Sequence, residues 1–127
     1  MLWRTLLATA CLLVGAANAA ETAAISQDAL LKRLAAKDAS LVVLDVRTPE
    51  EFAQGHVPGA INIPYTHLPA RISELPSAAD KDIVVYCTVG VRAERAASRL
   101  KENGFTRLLH LDGDMNKWLE KKRPVEK

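Results

Sequence analysis

At residues 83–92 the chain reads IVVYCTVGVR. The apolar run 83–86 predicts a short strand that is buried on both faces, as the strands of parallel sheets are. Four apolar residues then recur at helical spacing and predict a helix over 92–103 that ends at Gly104: Ala93, Ala96, Ala97 and Leu100. Cys87 therefore lies between a buried strand and the first turn of a helix.

The same alternation of strand and helix extends in both directions from this stretch. Largely apolar segments at 41–44, 60–63 and 108–111 predict three more strands. Ser26 and Thr48 are predicted helix N-caps, and further helices are expected at 67–75 and 115–122. The pattern predicts one α/β domain over 22–126, with a mainly parallel sheet and helices on both faces. Four strands are identified in the sequence, and a five-stranded sheet is expected. Ligands bind such sheets at the carboxyl ends of strands, where Cys87 lies.

The first 19 residues form a predicted secretory signal peptide. Arg4 precedes an uncharged stretch over 5–20, and Ala17 and Ala19 are the small residues that a signal peptidase recognises. That stretch is too short for a comfortable membrane span and no second apolar segment follows. We therefore expect an exported, periplasmic protein with no membrane span after cleavage. The alternatives are an uncleaved anchor and lipidation of Cys11.

Composition argues against several classes of site. The 127 residues carry a formal net charge of +2 without a basic stripe, so no nucleic-acid partner is expected. His56, His67 and His110 are scattered, and Cys87 has no cysteine or histidine at ligand spacing. No metal site is predicted, and each histidine is interpreted as a turn or surface residue. A phosphate-binding GxxxxGKS/T motif is absent, and no cofactor is expected.

Signal cleavage leaves Cys87 as the one cysteine of the predicted mature chain. An odd cysteine in an exported protein indicates intermolecular pairing or a reactive thiol, and a buried, inert cysteine is the alternative. A thiolate is favoured here by the unpaired N–H groups and dipole of a helix start and by an anion-binding turn. Gly90 permits that turn, and Arg92 adds a forked cation suited to an oxyanion. Cys87 is therefore the predicted nucleophile.

Three groups of motifs resemble the rhodanese family, specifically its single-domain members. LDVR at 44–47, EF at 51–52 and GHVPGAINIP at 55–64 resemble the N-terminal signature of that family. Tyr86 and Cys87, with Gly90 and Arg92, resemble its active-site loop. LDG at 111–113, Trp118 and PV at 124–125 resemble its C-terminal end. The signal peptide and small size also resemble the periplasmic phage-shock-type rhodaneses.

The resemblance implies a thiosulfate sulfurtransferase. Cys87 would take a sulfane sulfur from a small anionic donor such as thiosulfate, and a thiol acceptor would remove it from the resulting persulfide. A thioredoxin-like protein is one such acceptor, and cyanide serves in an assay. Asp45 and Arg47 are expected to support the site, with Arg47 paired to Glu51 or Asp45. The substrate-binding residues implied by the resemblance are Thr88, Val89, Gly90, Val91 and Arg92, with Arg92 holding the anionic donor.

Two positions depart from the family pattern. Ala93 stands where many members have Ser, and Asp114 stands where a second glycine is common after Gly113. The first is expected to alter a hydrogen bond at the helix start and the second to alter a loop near the site. Both departures bear on substrate preference more than on activity.

Two other functions stay open. Cysteine phosphatases and arsenate reductases on the same fold resemble C-x5-R, whereas four residues separate Cys87 from Arg92 here, which favours a sulfur-sized ligand. An inactive rhodanese-like module that binds a partner is the other alternative, although the loop keeps Cys87, Gly90 and Arg92. A thioredoxin-like redox role is disfavoured because no CxxC motif is present.

Overall fold

The computed structural model describes residues 22–76 and 80–127, so the predicted signal peptide lies outside the described residues. The described strands form one sheet: β1 (Ala24–Ile25), β2 (Leu41–Asp45), β3 (Ile61–Asn62), β4 (Asp82–Tyr86) and β5 (Leu108–Leu111). Their order is β1-β5-β4-β2-β3, and neighbouring strands pair in parallel. The predicted α/β fold on a five-stranded parallel sheet is confirmed.

Helices flank the strands: α1 (Gln27–Ala35), α2 (Pro49–Gln54), α3 (Leu68–Arg71), α4 (Val91–Glu102) and α5 (Asp114–Glu120). Both predicted N-caps are confirmed, because the Ser26 hydroxyl accepts the Ala29 N–H and the Thr48 hydroxyl accepts the Glu51 N–H. Glu51 also accepts from the Thr48 N–H, which completes a capping box at the start of α2. This box fixes Glu51 shortly after the carboxyl end of β2.

One predicted helix differs from the structure, and one strand of the structure was not predicted. The helix expected over 67–75 is interrupted, because 3-10 turns at Tyr65–His67 and Ile72–Glu74 flank the four residues of α3. Strand β1, which pairs with β5, has only two residues and therefore shows no periodic pattern in the sequence. The other helices and strands for which bounds were predicted lie within two residues of those bounds.

Apolar side chains fill both faces of the sheet. On one face, the alanines and Leu100 of α4 pack with Leu44 and Val85. On the other face, Trp118 of α5 packs among apolar residues of α1 and β4. Strand β4 is thus covered on both sides, as its continuous apolar run predicts. In the part of the chain that the structure describes, no helix is long and apolar enough to span a bilayer.

The chain leaves the sheet in opposite directions after β2 and after β4. Strand β2 leads to β3 at one edge, whereas β4 leads to β5 on its other side. In open α/β sheets a ligand-binding crevice forms beyond the carboxyl ends of strands at such a switch point. The residues that follow β2 and β4 therefore meet at the position where this fold places a site.

Candidate active site

Cys87 follows β4 directly and lies at the switch point. Its sulfur is the acceptor for two backbone N–H groups, that of Gly90 at 3.0 Å and that of Ala93 at 3.4 Å. Both groups belong to the turn and first residues of α4, whose N–H groups have no acceptor within the helix. They lie where they stabilise negative charge on the Cys87 sulfur, together with the helix dipole. The predicted activation of this thiol by backbone groups therefore has a geometric basis.

The Cys87 side chain is buried, whereas two residues of the same loop are exposed. Cys87 is 1% exposed, whereas Val89 and Val91 are 66% and 58% exposed. A second sulfur on Cys87 would extend about 2 Å beyond Sγ, the length of an S–S bond. The nucleophile thus lies at the floor of the loop, and the two valines form its outer rim.

Gly90 makes this loop possible. Its φ of +115° is left-handed, a region that residues with a Cβ rarely adopt. A Cβ at this position would also lie 3.0 Å from Asp114 Oδ2 and 3.2 Å from His110 Cε1. Gly90 is therefore required both for the turn and for the close approach of side chains behind it.

The start of α5 holds the loop from behind. The N–H of Met115 donates to the Cys87 carbonyl at 2.9 Å, and the N–H of Asn116 donates to the Thr88 carbonyl at 3.1 Å. Asp114 accepts the Cys87 N–H through Oδ1 at 3.0 Å. Three hydrogen bonds from consecutive residues therefore fix the backbone on either side of the Cys87 side chain.

Arg92 is bound to Glu51 across the crevice. Its Nη1 and Nη2 donate to the two Glu51 oxygens at 2.7 and 3.0 Å, and Nη2 also donates to the Thr88 hydroxyl at 2.9 Å. The Thr88 hydroxyl in turn donates to Glu51 at 2.8 Å. The hydrogen bond from Arg92 holds the pKa of Glu51 at about 2, well below its usual range. The guanidinium that was predicted to hold an anionic donor thus joins the loop to α2.

Asp45 and Arg47 form a buried pair at the end of β2. Arg47 binds the Asp45 carboxylate through Nε and Nη2, with a shortest distance of 2.6 Å. Of the two partners predicted for Arg47, Glu51 and Asp45, the structure shows Asp45. The Tyr86 hydroxyl donates to Asp45 at 2.7 Å, and burial raises the Tyr86 pKa above its usual range. Asn62 donates to the carbonyls of Asp45 and Arg47. This pair therefore ties the ends of β2, β3 and β4 together beneath the crevice.

The chain is similar to proteins of known families. Residues 26–121 match the rhodanese-like domain family. The chain belongs to this family. A sulfurtransferase from Allochromatium vinosum is 39% identical over 101 residues, which cover 80% of this chain and 92% of that relative.

Other relatives and solved structures that contain a similar domain differ in length. A tRNA uridine(34) hydroxylase from Salmonella paratyphi B is 36% identical over 90 residues, which are 68% of this chain but only 26% of the hydroxylase. A crystal structure of a rhodanese-related protein from Thermoplasma volcanium has a TM-score of 0.71 and 29% identity, covering 82% of this chain and 97% of the other. The same domain therefore occurs alone and as part of longer proteins.

The rhodanese-like domain carries one further cluster, which sequence reasoning missed. His110, on β5, contacts Glu94 Oε1 through Nδ1 at 2.7 Å, and Asp114 through Nε2 at 2.9 Å. The ring is partly buried behind Gly90, so its interpretation as a turn or surface residue was wrong. The one signal in the sequence was Asp114, in place of a common glycine. Within residues 22–76 and 80–127, no group of three or more His, Cys, Asp or Glu side chains is arranged to hold a metal ion.

Proposed function

We propose that this rhodanese-like domain transfers a sulfane sulfur through a persulfide on Cys87, with thiosulfate as one donor. The observation that carries the proposal is the pair of N–H groups, from Gly90 and Ala93, that point to the Cys87 sulfur at the carboxyl end of β4. They favour the thiolate before the reaction and accommodate the anionic persulfide after it. The relative named sulfurtransferase supports the same reaction class.

The first half-reaction is a displacement at sulfur. The Cys87 thiolate attacks the outer sulfur of thiosulfate and forms a new S–S bond, while the bond between the two thiosulfate sulfurs breaks and sulfite leaves with its electron pair. The enzyme is left as an anionic persulfide, and no external oxidant or reductant is needed. The exchange requires a reagent to reach the outer sulfur past Val89 and Val91, which are the exposed side chains of the loop.

The second half-reaction restores the thiolate. An acceptor thiolate attacks the outer sulfur of the persulfide, so the Cys87 S–S bond breaks and its electron pair returns to Cys87. Cyanide reacts in the same way and leaves as thiocyanate. We propose a thiol protein of the periplasm as the acceptor, because the predicted signal peptide directs the chain there and the apolar rim suits a protein surface.

Phosphatase activity is the alternative enzymatic function for this site. Its tetrahedral oxyanion would need a wider loop and a free guanidinium, whereas the loop here has four residues between Cys87 and Arg92, and Arg92 is bound by both oxygens of Glu51. A non-catalytic binding module is the other rival. The hydrogen-bonded Cys87 sulfur favours catalysis over this second alternative.

The two activities can be measured on one preparation. We expect the wild-type protein to form thiocyanate from thiosulfate and cyanide, and Cys87→Ser to lose this activity completely. Neither protein should hydrolyse p-nitrophenyl phosphate above background. Phosphate release by the wild type without thiocyanate formation would establish the phosphatase instead, and no activity in either assay would favour the binding module.

A further inference from the structure

The cluster of Glu94, His110 and Asp114 has no part in the sulfur-transfer steps described above, yet it contacts the Cys87 loop directly. Asp114 Oδ1 accepts both the Cys87 N–H at 3.0 Å and His110 Nε2 at 2.9 Å. The Asp114 side chain is only 5% exposed and the His110 side chain 19% exposed. A carboxylate with little access to water thus lies one hydrogen bond from the residue that must become a thiolate.

The backbone of Asp114 shows that this carboxylate is held in place against a conformational cost. Asp114 has a φ of +52° directly after Gly113 at +78°. Residues with a Cβ are uncommon in this left-handed region, although Asp tolerates it better than most. The hydrogen bonds from Cys87 and His110 offset that cost, so they determine where the carboxylate lies.

Both ring nitrogens of His110 face carboxylates, Glu94 Oε1 at 2.7 Å and Asp114 Oδ1 at 2.9 Å. A neutral imidazole has one N–H and would turn a lone pair toward one of the two, whereas the imidazolium donates to both. The hydrogen bond to Asp114 raises the pKa of His110, against the effect of burial, and Glu94 adds to it. The two carboxylates therefore favour the positively charged form of His110.

Few other charges face these groups. The strand neighbours of His110, Ala24 on β1 and Val85 on β4, are apolar. Among the described residues, the charged groups that contact its ring are Glu94 from α4 and Asp114 from α5. Arg92 of α4 lies on the other side of Cys87 and would attract a negative charge on its sulfur. The charge of Arg92 is itself balanced by the Glu51 carboxylate of α2. In the described part of the chain, His110 is thus the cation that compensates the Asp114 carboxylate.

We propose that His110 is a positioning residue that sets the pH range in which Cys87 is a thiolate, by holding a positive charge against Asp114 behind the loop. When His110 loses its proton, the Asp114 carboxylate is uncompensated and disfavours a second negative charge on the adjacent cysteine. The two ionisations are coupled, so the thiolate must favour the imidazolium by the same factor. The inference rests on the proposed function, because the first half-reaction requires the thiolate.

The test measures the rate of Cys87 alkylation by iodoacetamide from pH 5 to pH 10, which reports the thiolate whether or not sulfur is transferred. The variant is His110→Gln, because the glutamine amide can still donate toward Asp114 without a charge. We expect its pH midpoint to rise by about one unit and its rate at neutral pH to fall about tenfold, with the plateau at high pH unchanged. Adding Asp114→Asn should return the midpoint toward the wild-type value, and the exposed His67→Gln is the matched control.

A second measurement uses a protein in which His110 is intact. The titration of the His110 ring by NMR should have a midpoint about one unit lower in Cys87→Ser than in the wild type, because the serine carries no charge. An unchanged midpoint in both measurements, or an equal shift in His67→Gln, would overturn the proposal. A lower plateau without a shift would also overturn it, since it indicates a purely structural role. Loss of thiocyanate formation with these shifts intact would count against the proposed function alone.

Discussion

The Cys87 loop is held from the two sides of β4 by carboxylate–cation contacts that differ in exposure and in chemistry. On the β2 side, Glu51 and Arg92 are 33% and 27% exposed, and the guanidinium keeps its charge at any physiological pH. On the β5 side, Asp114 and His110 are 5% and 19% exposed, and the imidazole can lose its proton. The first contact therefore keeps both charges at physiological pH, whereas the second can lose the charge of its cation.

The two contacts therefore have different roles: the exposed pair fixes the geometry of the loop, whereas the buried pair influences the ionisation of Cys87. Half-exposed ion pairs contribute little to stability, so the Glu51–Arg92 pair matters because its two parallel hydrogen bonds fix the end of the loop. The buried contact reaches the backbone of Cys87 itself. Substitutions on the two sides should therefore have different effects on activity and stability.

The largest loss of activity is expected from a substitution at Gly90, where the loop contacts the buried Asp114 and partly buried His110 side chains. Gly90→Ala places a Cβ 3.0 Å from Asp114 Oδ2 on a backbone with φ +115°. We expect thiocyanate formation to fall at least about a hundredfold and the free energy of unfolding to fall by about 1–3 kcal/mol. Gly104→Ala is the control, because φ is +86° there but no atom lies within 4 Å of the new Cβ. Equal losses of activity in both variants would contradict the role of the close approach.

A smaller effect is expected on the exposed side. Arg92→Lys keeps the charge and loses the forked contact with Glu51, so kcat/KM should fall about tenfold while stability changes by less than about 1 kcal/mol. Glu51→Gln should behave similarly, and the double variant should be no worse than either single one. Additive losses in this double-mutant cycle would show that Arg92 acts independently of Glu51, as a direct ligand of the donor.

Charges placed on the rim should change the rate only a few-fold. Val89 is 66% exposed, so Val89→Lys and Val89→Glu leave the core intact. With thiosulfate at low ionic strength, we expect kcat/KM to rise about threefold for Lys and fall about threefold for Glu, and both effects to vanish in high salt. Val89→Thr, which keeps the shape without a charge, is the control. Changes of the same sign for Lys and Glu would argue against an anionic donor at the rim.

The smallest effect concerns stability in acid. The Glu51 pKa is depressed to about 2 in the folded protein, chiefly by the hydrogen bond from Arg92, and an unfolded Glu titrates near 4.3. The stabilisation from Glu51 is therefore present above about pH 4.3 and is lost as the pH falls toward 2. Urea unfolding of Glu51→Gln should show a flatter decline over this range than the wild type. The exposed Glu50→Gln should leave the decline unchanged, and a change equal to that in Glu51→Gln would contradict the assignment.

The sequence predicted those parts of the site that depend on local pattern. The apolar strand, the turn at Gly90 and the helix that follows are signalled by the continuous segment 83–103, so the position of Cys87 between strand and helix was predicted correctly. The capping box of Thr48 and Glu51 is likewise local. Such features follow from backbone geometry and need no knowledge of distant contacts.

The contacts that define the surroundings of Cys87 join distant positions. Asp114 is 27 residues from Cys87, and Glu51 is 41 residues from Arg92. Only the strand order, with β4 between β5 and β2, brings these side chains to one crevice. Residue type alone could not show that Arg92 binds a carboxylate of its own chain.

The central claim is that Cys87 carries the transferred sulfur, and intact mass tests it most directly. The wild-type protein and Cys87→Ser are treated with thiosulfate, freed of excess reagent and weighed by mass spectrometry. We expect a gain of one sulfur atom on the wild type, removed again by cyanide, and no gain on Cys87→Ser. No gain on the wild type, or an equal gain on both proteins, would contradict it.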